Sequence, residues 1–277
     1  MDYLELYGLS EEPFGPALSE RFYFESPQHA AARIRLTHAV CTMKGLAVLV
    51  GDLGTGKSML ARRLLSDLPE HEYRAALVVF VHAHLSPSVF LSRLARCLGV
   101  PEADSAAPPE DLLDQLLMHL MVEREAGRRA VVLLDEAGVL ADRELRRQFR
   151  GLLSLEHDGE RLITFVVVGT PELDDYLRAD PALLQRVACR TTLFALESQG
   201  TREYIEHRLR IAGCNVTPFP AETCECIHGL VHGIPRLINN LCDNLLLEGC
   251  LSGRAVVSPQ MAEEAAAALG IPALFPA

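Results

Sequence analysis

The sequence predicts an α/β fold: a three-layer αβα core around a parallel five-stranded sheet, followed by a small all-α domain. Two observations lead to this prediction. Apolar runs alternate with helical patterns over the first part of the chain, which is typical of parallel strands covered by helices on both faces. After Glu197 only helical patterns remain. We therefore expect an α/β domain over residues 1–195 and a helical domain over residues 196–277.

Composition and charge narrow the class of protein. Hydrophobic residues make up 49% of the 277 residues and charged residues 23%, so a packed core is expected. The net charge of −11 argues against a surface built for nucleic acid, although a local basic patch stays open as an alternative. No apolar run approaches the ~20 residues of a membrane helix, and the acidic N-terminus lacks the basic start of a signal peptide. We expect no membrane segment in this chain and a cytoplasmic location.

The N-terminal stretch, residues 1–25, is rich in aromatic residues and interrupted by prolines. Its pattern is not that of a regular amphipathic helix, so we expect an irregular segment on the surface of the α/β domain. Ser26 and Pro27 then begin a helix, with the serine as cap and the proline in the first turn. This helix is predicted to end near Met43.

A glycine-rich stretch at residues 51–58 is the strongest chemical signal. It fits G-x-x-x-x-G-K-[ST], and it follows an apolar run at 46–50 and precedes a helical pattern at 59–65. Glycines let successive N–H groups point into one concavity, and the helix N-terminus adds partial positive charge, so this loop is predicted to bind phosphates. Lys57 is expected to bind the β- and γ-phosphates, and Ser58 to offer its hydroxyl to Mg²⁺. The predicted nucleotide-binding residues are Gly51, Asp52, Leu53, Gly54, Thr55, Gly56, Lys57, Ser58 and Met59. The alternative is a glycine-rich turn without a ligand.

An apolar run that ends in two acids is the second landmark. Residues 130–134 are apolar and are followed by Asp135 and Glu136. The carboxyl end of this strand is expected at the same edge of the sheet as the glycine-rich loop. Asp135 is then predicted to hold Mg²⁺, and Glu136 to orient and deprotonate an attacking water.

The other elements follow in order. Further strands are predicted over residues 75–81, 162–169 and 189–194. Further helices are predicted from Pro87, over 111–125 and over 144–155, with a loop over 101–110. Thr170 directly follows a buried strand and is expected beside Asp135. In the helical domain, helices are predicted to start near Thr201, Pro220, Pro235 and Pro259.

Two clusters have alternative interpretations. Four arginines lie in the predicted helix over 144–155 or next to its start: Arg143, Arg146, Arg147 and Arg150. They form either a solvated face, which is favoured, or a contact to a neighbouring subunit or nucleic acid. Cysteines and histidines cluster at Cys224, Cys226, His228 and His232. Their spacing does not match a structural zinc site, so buried reduced thiols are favoured over a metal site.

Seven stretches together resemble the AAA+ ATPases, and more narrowly the cytoplasmic ATPase domain of the general secretion pathway protein A family. The resemblance covers nearly the whole chain. The stretches include Tyr3-Leu4 through Glu12-Pro13-Phe14, the loop at 51–58, Asp135-Glu136-Ala137 and residues 169–173. They continue with Gln185-Arg186, residues 204–209 and residues 233–239. The last two stretches are quite specific to one branch of the AAA+ ATPases. This branch contains the secretion family and also ATPases that assist DNA transposition.

The resemblance implies roles for three further residues. Thr170 looks like the first sensor of the γ-phosphate, Arg186 like an arginine finger that reaches a neighbour's ATP, and Arg236 like the second sensor. It also implies ATP and Mg²⁺ as cofactors, a homo-oligomer, and an N-terminal segment and helix over 1–43 that pack near the nucleotide. Two positions depart from the family. The family usually has glutamine at position 170, and Gly138 replaces its usual Gln or His; the shorter reach of Thr170 favours slow hydrolysis.

Three functions fit these expectations. The first is an ATPase that drives assembly or remodelling of a protein complex, such as a secretion or envelope apparatus. The second is a DNA-associated regulator of the transposition type, which the acidic net charge disfavours. The third is a nucleotide-gated scaffold with little turnover.

Overall fold

In the computed structural model, the described residues are 2–15, 19–80, 85–101 and 103–271. They fall into two compact units. The α/β unit comprises residues 27–53 and 57–193, and the helical unit comprises residues 1–26, 54–56 and 194–277, as far as each is described. Parts of the predicted segments, namely Met1, Pro16, Val81, Glu102 and residues 272–277, lie outside the described residues.

The α/β unit contains the predicted five-stranded parallel sheet, in the order β2-β3-β6-β1-β7. Its strands are β1 (Leu46–Gly51), β2 (Tyr73–Val79), β3 (Arg129–Asp135), β6 (Ile163–Gly169) and β7 (Val187–Leu193). A separate antiparallel hairpin consists of β4 (Glu156–His157) and β5 (Glu160–Arg161). The helices are α2 (Pro27–Cys41), α3 (Lys57–Ser66), α4 (Pro87–Leu98), α5 (Pro109–Glu125), α6 (Arg143–Leu152), α7 (Glu172–Arg178) and α8 (Pro181–Leu184).

The centre of the sheet explains the continuous apolar runs. Every residue of β1 and β6 is buried, because helices cover both faces of a parallel sheet. The edge strands β2 and β7 expose several of their residues. The sequence analysis did not predict the β4–β5 hairpin. Its signal was the Asp158-Gly159 pair, whose positive φ angles of 53° and 78° suit a tight hairpin turn.

The helical unit is built from α9 (Ser198–Ile211), α10 (Ala221–Val231), α11 (Pro235–Leu251) and α12 (Pro259–Ala268). The prolines near the starts of α11 and α12 were correct helix signals. Ser258 caps α12 by accepting a hydrogen bond from the Met261 N–H. No described helix has both the length and the apolarity that crossing a bilayer requires.

The N-terminal segment differs from its prediction. It was expected on the α/β domain, but residues 1–26 group with the helical unit. The reason is packing: Tyr7, Phe14 and Phe22 are buried in the same apolar core as the helices of that unit. The segment also contains a short helix, α1 (Tyr3–Tyr7), which is capped by Asp2.

Candidate nucleotide-binding site

The glycine-rich loop connects β1 to α3. Gly54 and Gly56 have φ angles of +82° and +96°, a region that residues with a side chain rarely adopt. Thr55 is buried between them, whereas the side chain of Leu53 is exposed. Ser58 and Met59 lie in the first turn of α3, where N–H groups and the helix dipole favour an anion. These features fit a phosphate cradle.

The Lys57 ammonium folds back onto the loop itself. Its Nζ donates hydrogen bonds to the carbonyl oxygens of Gly51 and Asp52, each at 2.7 Å. Phosphate oxygens are stronger acceptors for an ammonium than neutral carbonyls, because both partners then carry charge. Lys57 is therefore held by two neutral acceptors of its own loop.

The acidic end of β3 lies at the same edge of the sheet as this loop, because β3 and β1 both run parallel to β6 between them. Asp135 is buried, and its Oδ1 accepts a hydrogen bond from the Glu136 N–H at 2.9 Å. Glu136 is exposed and has left-handed backbone angles, φ 54° and ψ 54°. For a residue with a Cβ this conformation costs about 1–2 kcal/mol. Such strain is often found at functional sites.

Thr170 follows β6 at this edge, and it has a partner that the sequence analysis missed. Hydrogen bonding from the Thr170 hydroxyl lowers the pKa of the Glu172 carboxyl group. A smaller lowering of the same pKa comes from the positive charge of Lys57. Glu172 was visible in the sequence only as part of the family-like stretch 169–173.

Arg186 lies at the amino edge of the sheet, where the strands begin, whereas the glycine-rich loop lies at the carboxyl edge, where they end. It directly precedes β7, whose first residue pairs with Leu46 at the start of β1, whereas the glycine-rich loop follows the end of β1. Six strand residues separate these edges, which corresponds to about 20 Å. The Arg186 guanidinium donates to the Arg150 carbonyl oxygen at 2.8 Å and to Ser154 Oγ at 2.7 Å. The structure therefore does not bring Arg186 to the loop of its own chain.

An open groove of about 870 Å³ surrounds Arg186 at this amino edge. Two carboxylates, those of Glu156 and Glu160, also line it. Five cationic side chains line the groove and outnumber the two carboxylates. They are Lys44, Arg124, Arg129, Arg161 and Arg186. The groove is thus a local basic surface on an acidic chain.

Arg236 lies in the first turn of α11, in the helical unit together with residues 54–56. Its backbone N–H donates to the Gly54 carbonyl oxygen at 3.3 Å. A Cβ added at Gly54 would come within 2.9 Å of the Arg236 Cβ, so glycine is needed here for space as well as for φ. The Arg236 side chain is exposed.

The four arginines of α6 do not form one basic face. Arg146 is buried, and its guanidinium donates to the carbonyl oxygens of Leu140 and Ala141. Arg150 pairs with Asp180 at 3.2 Å. Only Arg143 and Arg147 are exposed. A four-residue contact with nucleic acid through this helix is therefore wrong, because half of the run stabilises its own unit.

The eight cysteines all lie among the described residues, and none of them forms a disulfide. Within the clustered pair, the Cys224 thiol points to the Phe219 carbonyl oxygen and the Cys226 thiol to that of Pro259. Burial raises the pKa of Cys224 to about 11. Among the described residues, no group of three or more His, Cys, Asp or Glu side chains is arranged to hold a metal ion.

Comparisons with protein families, curated proteins and solved structures support the fold described above. Residues 41–177 match the family described as an AAA domain. This stretch, about half of the chain, is therefore an AAA domain. It is 33% identical to general secretion pathway protein A of Aeromonas hydrophila over 253 residues, which are 91% of this chain and 45% of that protein. The chain thus spans about half the length of this relative.

Solved structures support the AAA+ fold. The Cdc6p structure from Pyrobaculum aerophilum superposes with a TM-score of 0.72 at 18% identity, covering 91% of this chain and 69% of that one. The ORC2 protein of Aeropyrum pernix, solved as ADPNP–ADP complexes, gives 0.69 at 19% identity, covering 93% and 71%. At these identities the likeness shows the fold alone. Members of this family are generally ATPases, and the fold implies nucleotide binding.

Proposed function

We propose that this chain binds ATP with Mg²⁺ at residues 51–59 and hydrolyses it to drive assembly or remodelling of a protein complex. One observation carries the proposal: a glycine loop with positive φ angles, its lysine, and two consecutive carboxylates lie at one edge of one sheet. The loop offers donors to phosphates, whereas the carboxylates offer acceptors to a cation and to water. The proposed location is the cytoplasm, where ATP is available.

Four residues of the α/β unit have separate roles in this proposal. Lys57 exchanges its loop carbonyls for phosphate oxygens. Ser58 and Asp135 supply the hydroxyl and carboxylate oxygens that a magnesium ion prefers, and bound magnesium would neutralise phosphate charge. Glu136, exposed beside Asp135, accepts a proton from the attacking water. Water attacks phosphorus in line as the bond to the leaving oxygen breaks.

Two arginines complete the proposed chemistry. Arg236 is proposed as the second sensor, since its backbone already contacts the loop at Gly54. Arg186 is proposed to act on the nucleotide of a neighbouring copy, because it lies about 20 Å from its own loop by strand length. The active form would then be a homo-oligomer.

The proposed partner is a protein complex of the secretion or envelope type, because the similar Aeromonas protein carries a secretion name. A DNA-associated role gains no support from α6, since Arg146 and Arg150 are engaged within the α/β unit. One observation favours the low-turnover scaffold as a second candidate. Hydrogen bonding from Thr170 lowers the pKa of Glu172, so this carboxylate would compete with a γ-phosphate for the single hydroxyl proton.

Calorimetry with Lys57→Ala tests the binding site. We expect the affinity for ATP to fall at least tenfold, because charge-assisted hydrogen bonds to phosphate are lost. Arg62→Ala is the control, since it removes an exposed cation from the same helix. Equal affinity of wild type and Lys57→Ala would contradict the site. Phosphate release by the wild type then separates an ATPase from a scaffold.

A further inference from the structure

A buried cation lies at the centre of the helical unit. Arg208 of α9 is only 6% exposed. Its Cζ lies over three aromatic rings, those of Phe22 at 4.9 Å, Tyr204 at 5.7 Å and Phe14 at 5.9 Å from the ring centroids. No ion pair with a carboxylate is found for it in the described part of the chain. Aromatic faces and neutral oxygens therefore hold this charge, which makes its exact surroundings energetically important.

Arg208 attaches the N-terminal segment to α9. Its Nε donates to the Pro13 carbonyl oxygen at 2.5 Å, and two of its three rings belong to residues of that segment. Phe24 extends the attachment with an edge-on contact to Tyr204 at 5.7 Å. Residues 13–24, as far as they are described, thus contact the helix through the Arg208 guanidinium and through the Phe24 ring.

The same guanidinium leads to α11. Arg208 Nη1 donates to the Tyr204 hydroxyl at 2.8 Å, and that hydroxyl donates to Asn239 Oδ1 at 2.8 Å. Asn239 lies three residues after Arg236, so both occupy neighbouring positions in the first turns of α11. The Tyr204 hydroxyl uses its acceptor and its donor at once, which fixes its direction.

The start of α11 in turn contacts the glycine-rich loop. The Arg236 N–H donates to the Gly54 carbonyl oxygen, and the close approach of Ile234 and Arg236 to Gly54 leaves no room for a side chain there. A continuous series of contacts therefore runs from Pro13 through Arg208, Tyr204 and Asn239 to the first turn of α11 and Gly54.

We infer that this Arg208 cluster couples docking of residues 13–24 to nucleotide binding at the loop. The inference rests on the proposed function, and it names Arg208, Tyr204 and Asn239 as positioning residues for Arg236 and Gly54. Coupling is reciprocal, so bound nucleotide stabilises the docked segment, and a partner that displaces the segment lowers nucleotide affinity. The N-terminal segment is then a regulatory element of the site.

The cluster also joins three stretches that the proposed chemistry leaves unexplained. Residues 12–14, 204–209 and 233–239 carry much of the resemblance to the secretion family, yet only Arg236 has a proposed contact with nucleotide. In the structure, residues 13 and 14 contact Arg208, and Asn239 is linked to Arg208 through Tyr204, so the three stretches belong to one set of contacts.

Tyr204→Phe and Tyr7→Phe form a matched test. Each removes one phenol hydroxyl from the helical unit. The Tyr204 hydroxyl acts at the start of α11, whereas the Tyr7 hydroxyl donates to the Arg254 carbonyl oxygen beyond the other end of that helix, at 2.9 Å. Both variants should lose thermal stability, and Tyr204→Phe should lose more, because it removes two hydrogen bonds and leaves a buried guanidinium N–H without its acceptor, whereas Tyr7→Phe removes one.

Two readouts separate positioning from stability. In hydrogen exchange without nucleotide, Tyr204→Phe should speed exchange at residues 13–24 and 235–239, and Tyr7→Phe should not. In calorimetry with a non-hydrolysable ATP analogue, Tyr204→Phe should raise Kd about 5-fold or more, whereas Tyr7→Phe should leave it unchanged. Nucleotide should also slow exchange at residues 13–24 in the wild type.

The outcomes are distinguishable. Equal exchange at both stretches in the two variants, or equal Kd values, would overturn the coupling even if ATP binds well. A wild type that binds no nucleotide would instead defeat the proposed function. In that case the exchange comparison still decides whether the cluster positions the start of α11.

Discussion

At its carboxyl edge the five-stranded sheet carries a glycine-rich loop, two consecutive carboxylates and a hydroxyl, whereas its amino edge carries five cationic side chains around a groove. The carboxyl-edge residues follow directly after β1, β3 and β6. The cations lie at or just before the starts of strands. Lys44 precedes β1, Arg129 is the first residue of β3, and Arg186 precedes β7.

The two edges of the sheet therefore differ in the charge and the type of the groups they carry. The carboxyl edge is proposed to hold a nucleotide, but the arginine proposed to act on phosphate lies at the amino edge. A head-to-tail arrangement of copies would bring the two unlike edges together, and such heterologous contacts generate rings or filaments. The predictions below test this comparison, from the largest expected effect to the smallest.

The largest effect is expected at the amino edge. Arg186→Ala should bind ATP normally but lose about 10³–10⁵ in hydrolysis rate if the guanidinium neutralises charge on a neighbour's phosphate. Mixing it with Glu136→Gln should restore part of the activity, because some interfaces then contain an intact glutamate and an intact arginine. The measurement is phosphate release across mixing ratios.

Protein dilution is the control for this experiment. The specific activity of the wild type should rise with concentration if sites are shared. A flat rate per chain, together with no recovery on mixing, would mean that Arg186 serves only its bonds to the Arg150 carbonyl oxygen and Ser154.

The next effect is expected at the carboxyl edge. Glu136→Gln keeps the shape of the side chain but removes the proton acceptor, so hydrolysis should fall by about 10²–10⁴. ATP binding by calorimetry should survive. Unchanged turnover would exclude Glu136 as the base.

DNA binding tests whether the basic amino edge serves nucleic acid instead of a second copy. We expect no binding to duplex DNA at low salt with ATP present, given the net charge of −11. If DNA does bind, the dependence of log K on log salt should have a slope of about −0.9 per phosphate contact. A smaller slope in Arg129→Ala, with no change in Arg147→Ala, would assign that contact to the groove.

The smallest effect concerns Glu172 at the carboxyl edge. The Thr170 hydroxyl lowers the pKa of Glu172, so the folded state favours the carboxylate, and this contribution to stability is lost as pH falls through the folded-state pKa. Thr170→Val should raise that pKa toward its ordinary value and weaken the acid dependence of unfolding, whereas Thr170→Ser should not. Titration of Glu172 by NMR measures both variants.

Much of the α/β unit could be predicted because its signals are local. Strands buried on both faces need continuous apolar runs, and β1, β3 and β6 have them. The glycine-rich loop requires positive φ angles at Gly54 and Gly56, which residues with a side chain rarely adopt. The roles of Thr170, Arg186 and Arg236 came from resemblance and stay predictions.

The errors share one cause, which is that a run of residue types does not show which way its side chains point. Arg146 and Arg150 looked like their neighbours in α6, but a buried carbonyl pair and Asp180 hold them. The N-terminal segment carried no local sign of the unit it joins. Its aromatic rings fit the core of the helical unit, which is assembled from residues about 200 positions later in the chain.

The sequence by itself determined the order of the five sheet strands and of the longer helices, the glycine-rich loop and the acidic strand end, because periodicity and glycine spacing act over a few neighbouring residues. Only the tertiary structure decided that Thr170 lowers the pKa of Glu172, that Arg186 lies at the edge opposite its own loop, and that Arg208 links the N-terminal segment through Tyr204 to α11. Each of these depends on hydrogen bonds or strand register between segments far apart in the chain, and burial of a polar group makes the identity of its distant partner energetically decisive.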